Sequence, residues 1–279
     1  MPPGPHRGLI GIEHNRAWQP ANSVFAMPGY TLSIVEFDDQ GRCYDREQLA
    51  ALQRALGQLE DRDPVIVVFV HGWKHNGDSG DDNLQNFCRA VETFASTAEP
   101  QTPVLAIFAA WRGLSLYGFN LLENITFWDR KQAGTRVAMG APRELLGHLR
   151  RFRRLRAAAG GHPLLAIIGH SFGGLIVFNA IAQSLIEAAS VAEGRIVPGY
   201  GDLVLLVNPA FEAVRFLPIF DIVRGRTFVE DQEPVFVSVT ATNDWATRYA
   251  FPAGMAFALV QEATKGREER QALMIMPEL

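Results

Sequence analysis

Leu164-Leu165-Ala166-Ile167-Ile168-Gly169-His170-Ser171-Phe172-Gly173-Gly174 is the stretch whose reading decides the fold. Its first five residues are continuously apolar, the pattern of a parallel strand covered on both faces, and an apolar helical pattern follows at once from Phe172 to Ala189. Strand, G-x-S-x-G turn and helix in direct succession describe an elbow that holds Ser171 exposed at the carboxyl edge of a sheet. Gly169 and Gly173 stand where a β-carbon would collide with neighbouring backbone. The N–H of Phe172 falls at the helix N-terminus, where donors without an intrahelical acceptor suit an oxyanion. A dinucleotide-binding turn does not fit, because G-x-G-x-x-G is absent after this strand.

Outward from the elbow, four more strand-like runs appear: Val65 to Val70, Val104 to Ala109, Leu203 to Val207 and Val235 to Thr240. Helical patterning lies between them at Asn83 to Thr97, Pro142 to Ala159 and, less regularly, Ala210 to Val223. The alternation predicts a doubly wound, mostly parallel α/β sheet with right-handed crossovers, in one domain spanning 1–279. Upstream, Tyr30 to Phe37 alternates before Asp38-Asp39-Gln40-Gly41 and reads as an antiparallel edge strand ending in a turn, with Gly8 to Ile12 as its partner. The connection 111–140 is long and rich in aromatic and apolar residues, which suggests a small cap insertion facing substrate; extra core packing is the plainer alternative.

With 48% hydrophobic residues, 20% charged residues and a net charge of −4, the composition is that of a globular chain able to fill a large core. It gives no general field for nucleic acid or an anionic membrane. No apolar run is long enough to predict a membrane span. The N-terminal segment lacks the apolar core of a secretory signal, so the expected compartment is the cytoplasm. Cys43 and Cys88 are isolated and suit a reducing compartment.

An acyl-transfer site needs a second N–H donor from the loop after an earlier strand. Val65 to Val70 ends in His71-Gly72-Trp73: Gly72 permits close backbone approach, and the N–H of Trp73 is the expected donor. His71 reads as an organiser of that loop through hydrogen bonds rather than as a base. His75, Asp78, Asp81 and Asp82 match no metal-ligand spacing, and the last two suit capping of the helix that follows. No metal or organic cofactor is expected.

Taken together, His71 to Asn76, Trp111-Arg112-Gly113, Thr126 to Lys131, Gly169 to Gly174 and Asn243-Asp244 resemble the α/β-hydrolase superfamily, and within it a branch of esterase- or lipase-like hydrolases. The resemblance covers roughly residues 60–255. It implies an α/β-hydrolase fold, a carboxylic ester as small-molecule substrate, Ser171 as nucleophile, and a Ser, Asp/Glu, His triad in that chain order. Asp244, beyond the strand Val235 to Thr240, is the matching acid, with Glu212 after Leu203 to Val207 as runner-up.

The third member departs from the pattern. All seven histidines lie at positions 6, 14, 71, 75, 148, 162 and 170, so none follows Asp244. Without an imidazole, a serine hydroxyl is a poor nucleophile at neutral pH. His148 falls within a helix, His162 precedes a strand and so lies at the wrong edge, and His170 is expected to point away from Ser171. His75 has the best route to the site. Three readings stay open: a fragment whose continuation carries the histidine, an unusual base such as His75, or a noncatalytic binding protein that keeps the fold.

Two further features stand apart from the triad. Arg150 to Arg156 places five arginines on one helix, with Phe152 and Leu155 expected on its apolar side; a solvated face explains the run, and an anionic partner or lipid surface is the alternative. Phe211, Phe216 and Phe220 are expected either to line an acyl pocket or to pack the core.

Overall fold

The computed structural model describes residues 23–72, 77, 79–111 and 134–241. Its strands are β1 (Val24–Met27), β2 (Tyr30–Phe37), β3 (Val65–Val70), β4 (Val104–Trp111), β5 (Leu164–His170), β6 (Leu203–Val207) and β7 (Phe236–Val239). The helices between them are α1 (Arg46–Gly57), α2 (Asp82–Thr97), α3 (Ala141–Ala158), α4 (Phe172–Ala189) and α5 (Leu217–Val223). The strands form one sheet in the order β1-β2-β4-β3-β5-β6-β7, parallel throughout except for the β1–β2 hairpin.

That order determines where the helices go. From β2 to β3, and again from β4 to β7, the chain steps across the sheet in one direction; only β3 to β4 steps back. A right-handed crossover places forward-stepping helices on one face and a backward-stepping helix on the other. The core divides accordingly. Leu49 and Leu52 of α1, Leu145 and Leu149 of α3 and Leu175 and Ile181 of α4 share the larger cluster, while Leu84, Phe87 and Val91 of α2 build the smaller one with Leu32, Ile34 and Phe108. Every residue of β4 is buried, with Leu105, Ile107 and Ala109 turned to the first cluster and Ala106, Phe108 and Ala110 to the second.

Tyr30–Phe37 is not the antiparallel edge strand expected from its alternation. It lies inside the sheet, parallel to β4 from Thr31↔Leu105 to Phe37↔Trp111, and the edge belongs to β1. The polar residues that suggested a wet face are taken up internally: Ser33 is fully buried, and the N–H of Glu36 donates to Oε1 of Gln48 at 2.8 Å. Gln48 sits on α1, a helix the sequence reading missed, which Asp45 caps by accepting from the N–H of Glu47. The expected partner Gly8 to Ile12 lies outside the described residues.

The stretch 111–140 also differs from expectation at both ends. Trp111 is the buried last residue of β4, while Val137 and Ala138, in a short helical segment at 134–138, are fully buried in the larger core. Of the expected cap at 111–140, residues 112–133 lie outside the described residues. On α3, Phe152 packs against the core as expected, whereas Leu155 is 55% exposed and belongs to the outer face. Phe211 stacks on Phe178 at 4.5 Å between ring centroids and Phe216 on Phe236 at 5.5 Å, so these aromatics pack the core. Among the described residues one helix, Phe172–Ala189, is long and apolar enough to cross a bilayer, but Leu175, Val177 and Ile181 are fully buried against the sheet, as in a core helix.

Candidate active site

β3 and β5 are neighbours, yet the chain leaves them toward opposite faces, to α2 and to α4. Such a reversal opens a crevice beyond the carboxyl ends of the two strands, the place where open α/β sheets bind ligands. The two motifs singled out above meet there. A β-carbon added to Gly72 would stand 3.0 Å from Cβ of Ser171 and 3.1 Å from Nδ1 of His170, so the loop after β3 rests directly on the elbow after β5. Nδ1 of His170 therefore lies against the same Gly72 loop as the β-carbon of Ser171.

Ser171 adopts φ 53° and ψ −117°. A positive φ is rare outside glycine and strains the backbone by about 1–3 kcal/mol, so the surroundings must hold it there. They do so through the peptide on each side: the Ser171 N–H donates to the Val207 carbonyl at 3.0 Å, and the Ser171 carbonyl accepts from Ala210 at 2.9 Å and from Leu175 at 3.3 Å. The glycines permit the packing. A β-carbon on Gly173 would overlap the Val70 carbonyl oxygen, and one on Gly169 would stand 2.8 Å from Cα of Gly174. The first turn of α4 is thereby seated against the end of β3, with buried Phe172 as its first residue. The N–H groups of that turn have no carbonyl one turn back to receive them and are directed toward the crevice end of the helix.

His71 is fully buried between Phe108 and Trp111, its ring centroid 5.5 Å and 6.0 Å from theirs. Nε2 accepts the backbone N–H of Trp111 at 3.0 Å, and the Trp111 indole donates back to the His71 carbonyl at 2.9 Å. A nitrogen that accepts from an amide holds no proton, so the other must carry it. Nδ1 accordingly donates to the Gly72 carbonyl at 2.6 Å. Both ring nitrogens are committed to the backbone, which gives His71 the loop-organising role expected of it and removes it as a base.

The remaining described histidines stand elsewhere. His148 on α3 contacts Gln53 at 2.9 Å and Glu144 at 3.6 Å on the outer surface, and His162 precedes β5 at the amino edge of the sheet. Glu212, the alternative acid, pairs with Arg215 at 3.1 Å. Asp81 caps α2 by accepting from the N–H groups of Asn83 and Leu84, and Asp82 begins that helix. Trp73, His75, Asp78 and Asp244 lie outside the described residues.

Asn208 contributes to this edge and was missed by the sequence reading. It is the second non-glycine residue with positive φ among the described residues, at 44°. Its N–H donates to the Val239 carbonyl at 2.8 Å, and its Oδ1 accepts the N–H of Ala241 at 2.7 Å. It thus ties the end of β6 to the chain leaving β7, three residues before Asp244. The available signal was an asparagine at a strand end, a residue type that tolerates the left-handed region. No family model, curated protein or solved structure matches the chain.

Proposed function

We propose that the chain is a serine hydrolase of the α/β-hydrolase type that cleaves carboxylic esters through an acyl-enzyme on Ser171. The observation that carries this reading is the strained Ser171 at the reversal of the sheet, with the Gly72 loop pressed against it. Strain retained at one exposed-edge serine, and enforced by overlapping glycines on either side, is what a nucleophile needs and a simple helix cap does not. Ser171 Oγ attacks the ester carbonyl, and the N–H groups of Phe172 and Trp73 receive the charge that develops on its oxygen. The alcohol leaves, and water releases the acid from Ser171.

The base is assigned to His75, four residues beyond the locked His71 on the same loop, with Asp244 as the orienting acid. His71 is excluded by its two backbone hydrogen bonds, and His148 and His162 by their positions; His170, against the same Gly72 loop, is the described histidine that a parallel His170→Ala variant compares with His75. A second reading, a noncatalytic hydrolase-like binding protein, is favoured by one observation: no histidine follows Asp244.

Turnover of short- and medium-chain nitrophenyl esters, together with labelling by a fluorophosphonate probe, separates the two readings. Ester hydrolysis and labelling should both disappear in Ser171→Ala, and hydrolysis should fall at least about a thousandfold in His75→Ala, as expected when a general base is lost. Equal rates for the parent chain and Ser171→Ala, without labelling of either, would overturn the reading of this chain as an enzyme.

A further inference from the structure

The arginine-rich run on α3 divides into two sets. Arg153 pairs with Asp202 and Arg156 with Asp63, so these two are neutralised within the fold. Arg151 and Arg154 are exposed and form no ion pair among the described residues. They border a groove of about 560 Å³ between α3 and α4 that also includes Arg143 and Arg150. Those two are fixed in place: Arg143 donates to the Asn179 carbonyl at 3.0 Å, while Arg150 donates to Oγ of Ser184 at 3.1 Å and lies 4.7 Å over the ring of Tyr200. None of the described residues lining the groove is acidic, and Gly147, Leu155, Ala158 and Ala180 give it an apolar component.

We propose that this groove docks an acidic peptide segment of a protein partner, with its carboxylates received by the four arginines and its apolar side chains by the patch around Leu155 and Ala158. Charge complementarity requires an anion, and the geometry selects among anions. From Arg143 to Ala158 the helix rises about 20 Å, too far for one small anion to engage the whole row. A single nucleic-acid strand needs exposed aromatic rings for its bases, and Tyr200, the aromatic side chain in the lining, is buried under Arg150. A bilayer is flat, whereas this surface is recessed between two helices. An extended or helical peptide fits the recess, and guanidinium groups match carboxylates in paired hydrogen bonds. The proposal does not depend on the hydrolase reading.

The test is fluorescence anisotropy of a labelled peptide of repeating Glu-Glu-Leu titrated with the full chain, at low and at physiological salt. A Lys-Lys-Leu peptide, a labelled oligo-dT and phosphatidylserine vesicles serve as comparison arms. Saturable, salt-sensitive binding of the acidic peptide is expected, weakened at least about tenfold in R151E/R154E as attractive contacts become repulsive. Both side chains are exposed and form no ion pair among the described residues, so the thermal midpoint of that variant should match the parent, and R151K/R154K should keep most of the binding. Absence of peptide binding, binding indifferent to the charge reversal, or tighter uptake of the oligonucleotide or vesicles would overturn the proposal. So would self-association abolished by R151E/R154E, which would make the occupant a second copy of this chain.

Discussion

At the scale of single residues, the site depends on side chains too small or too committed to be replaced. Gly173 is required by the carbonyl oxygens of Val70 and His71, both of which an added β-carbon would overlap. His71 is required by one amide, that of Trp111. Replacing His71 with Phe keeps a ring between Phe108 and Trp111 but leaves the buried Trp111 N–H without its acceptor. This should destabilise the fold by about 1–3 kcal/mol, read as a lower urea midpoint. Gln at the same position restores an acceptor and should recover part of the loss; equal midpoints for parent and His71→Phe would show that the hydrogen bond contributes nothing. The glycine pattern around Ser171 was legible in the sequence because overlap with backbone is a local demand. The position of the His170 ring and the left-handed backbone of Asn208 were not, since both are set by loops distant in the chain.

Elements were legible in proportion to their burial. β3, β4, β5 and β6 read clearly because a strand covered on both faces must be apolar at nearly every position. α1 escaped notice because the stripe it buries includes the polar Gln48 among charged neighbours, and β1 because three half-buried residues and one exposed residue make a weak signal. Helix-to-helix attachments were not legible at all. Arg46 of α1 makes a two-pronged contact with Glu144 of α3, at 2.7 Å and 2.8 Å. Hydrogen bonding from Arg46 holds the Glu144 carboxyl below its usual value. A depressed carboxylate stabilises the fold above its unfolded-state pKa, and that contribution fades as pH falls through the lower folded value. Glu144→Gln should therefore lower stability at neutral pH by less than about 1 kcal/mol, since the pair is exposed. Urea melts of variant and parent should converge as the pH drops below the ordinary carboxylate range; a difference that persists there would show that the pair is not the cause.

For the whole molecule, the division of the core between two faces explains why α4 is so apolar. It fills the centre of the larger cluster, where α3, α5 and the sheet converge on it. Ile181 is fully buried and Ile186 is 38% exposed on the same helix. Ile181→Asp should abolish cooperative unfolding by circular dichroism, whereas Ile186→Asp should shift the midpoint little, because a charge left in water incurs no burial penalty. Equal tolerance of both would mean that α4 does not pack as described. The class of sheet was thus legible from its strands, but the strand order was not, because it depends on which crossover steps back.

The same backward step has a consequence in time. Val65 of β3 pairs with Leu164 of β5, so the two loops that meet at Ser171 are brought together only after almost a hundred intervening residues have been accommodated. β4 occupies the other side of β3 and can join it earlier through the short α2 connection. Contacts of such long sequence separation form late, because the entropy of closing the loop must be met before the pairing rewards it. During synthesis the Gly72 loop emerges well before the serine it will rest against. The crevice is therefore among the last features of the sheet to take shape, and a nascent or partly refolded chain can hold much of its secondary structure without yet having that crevice.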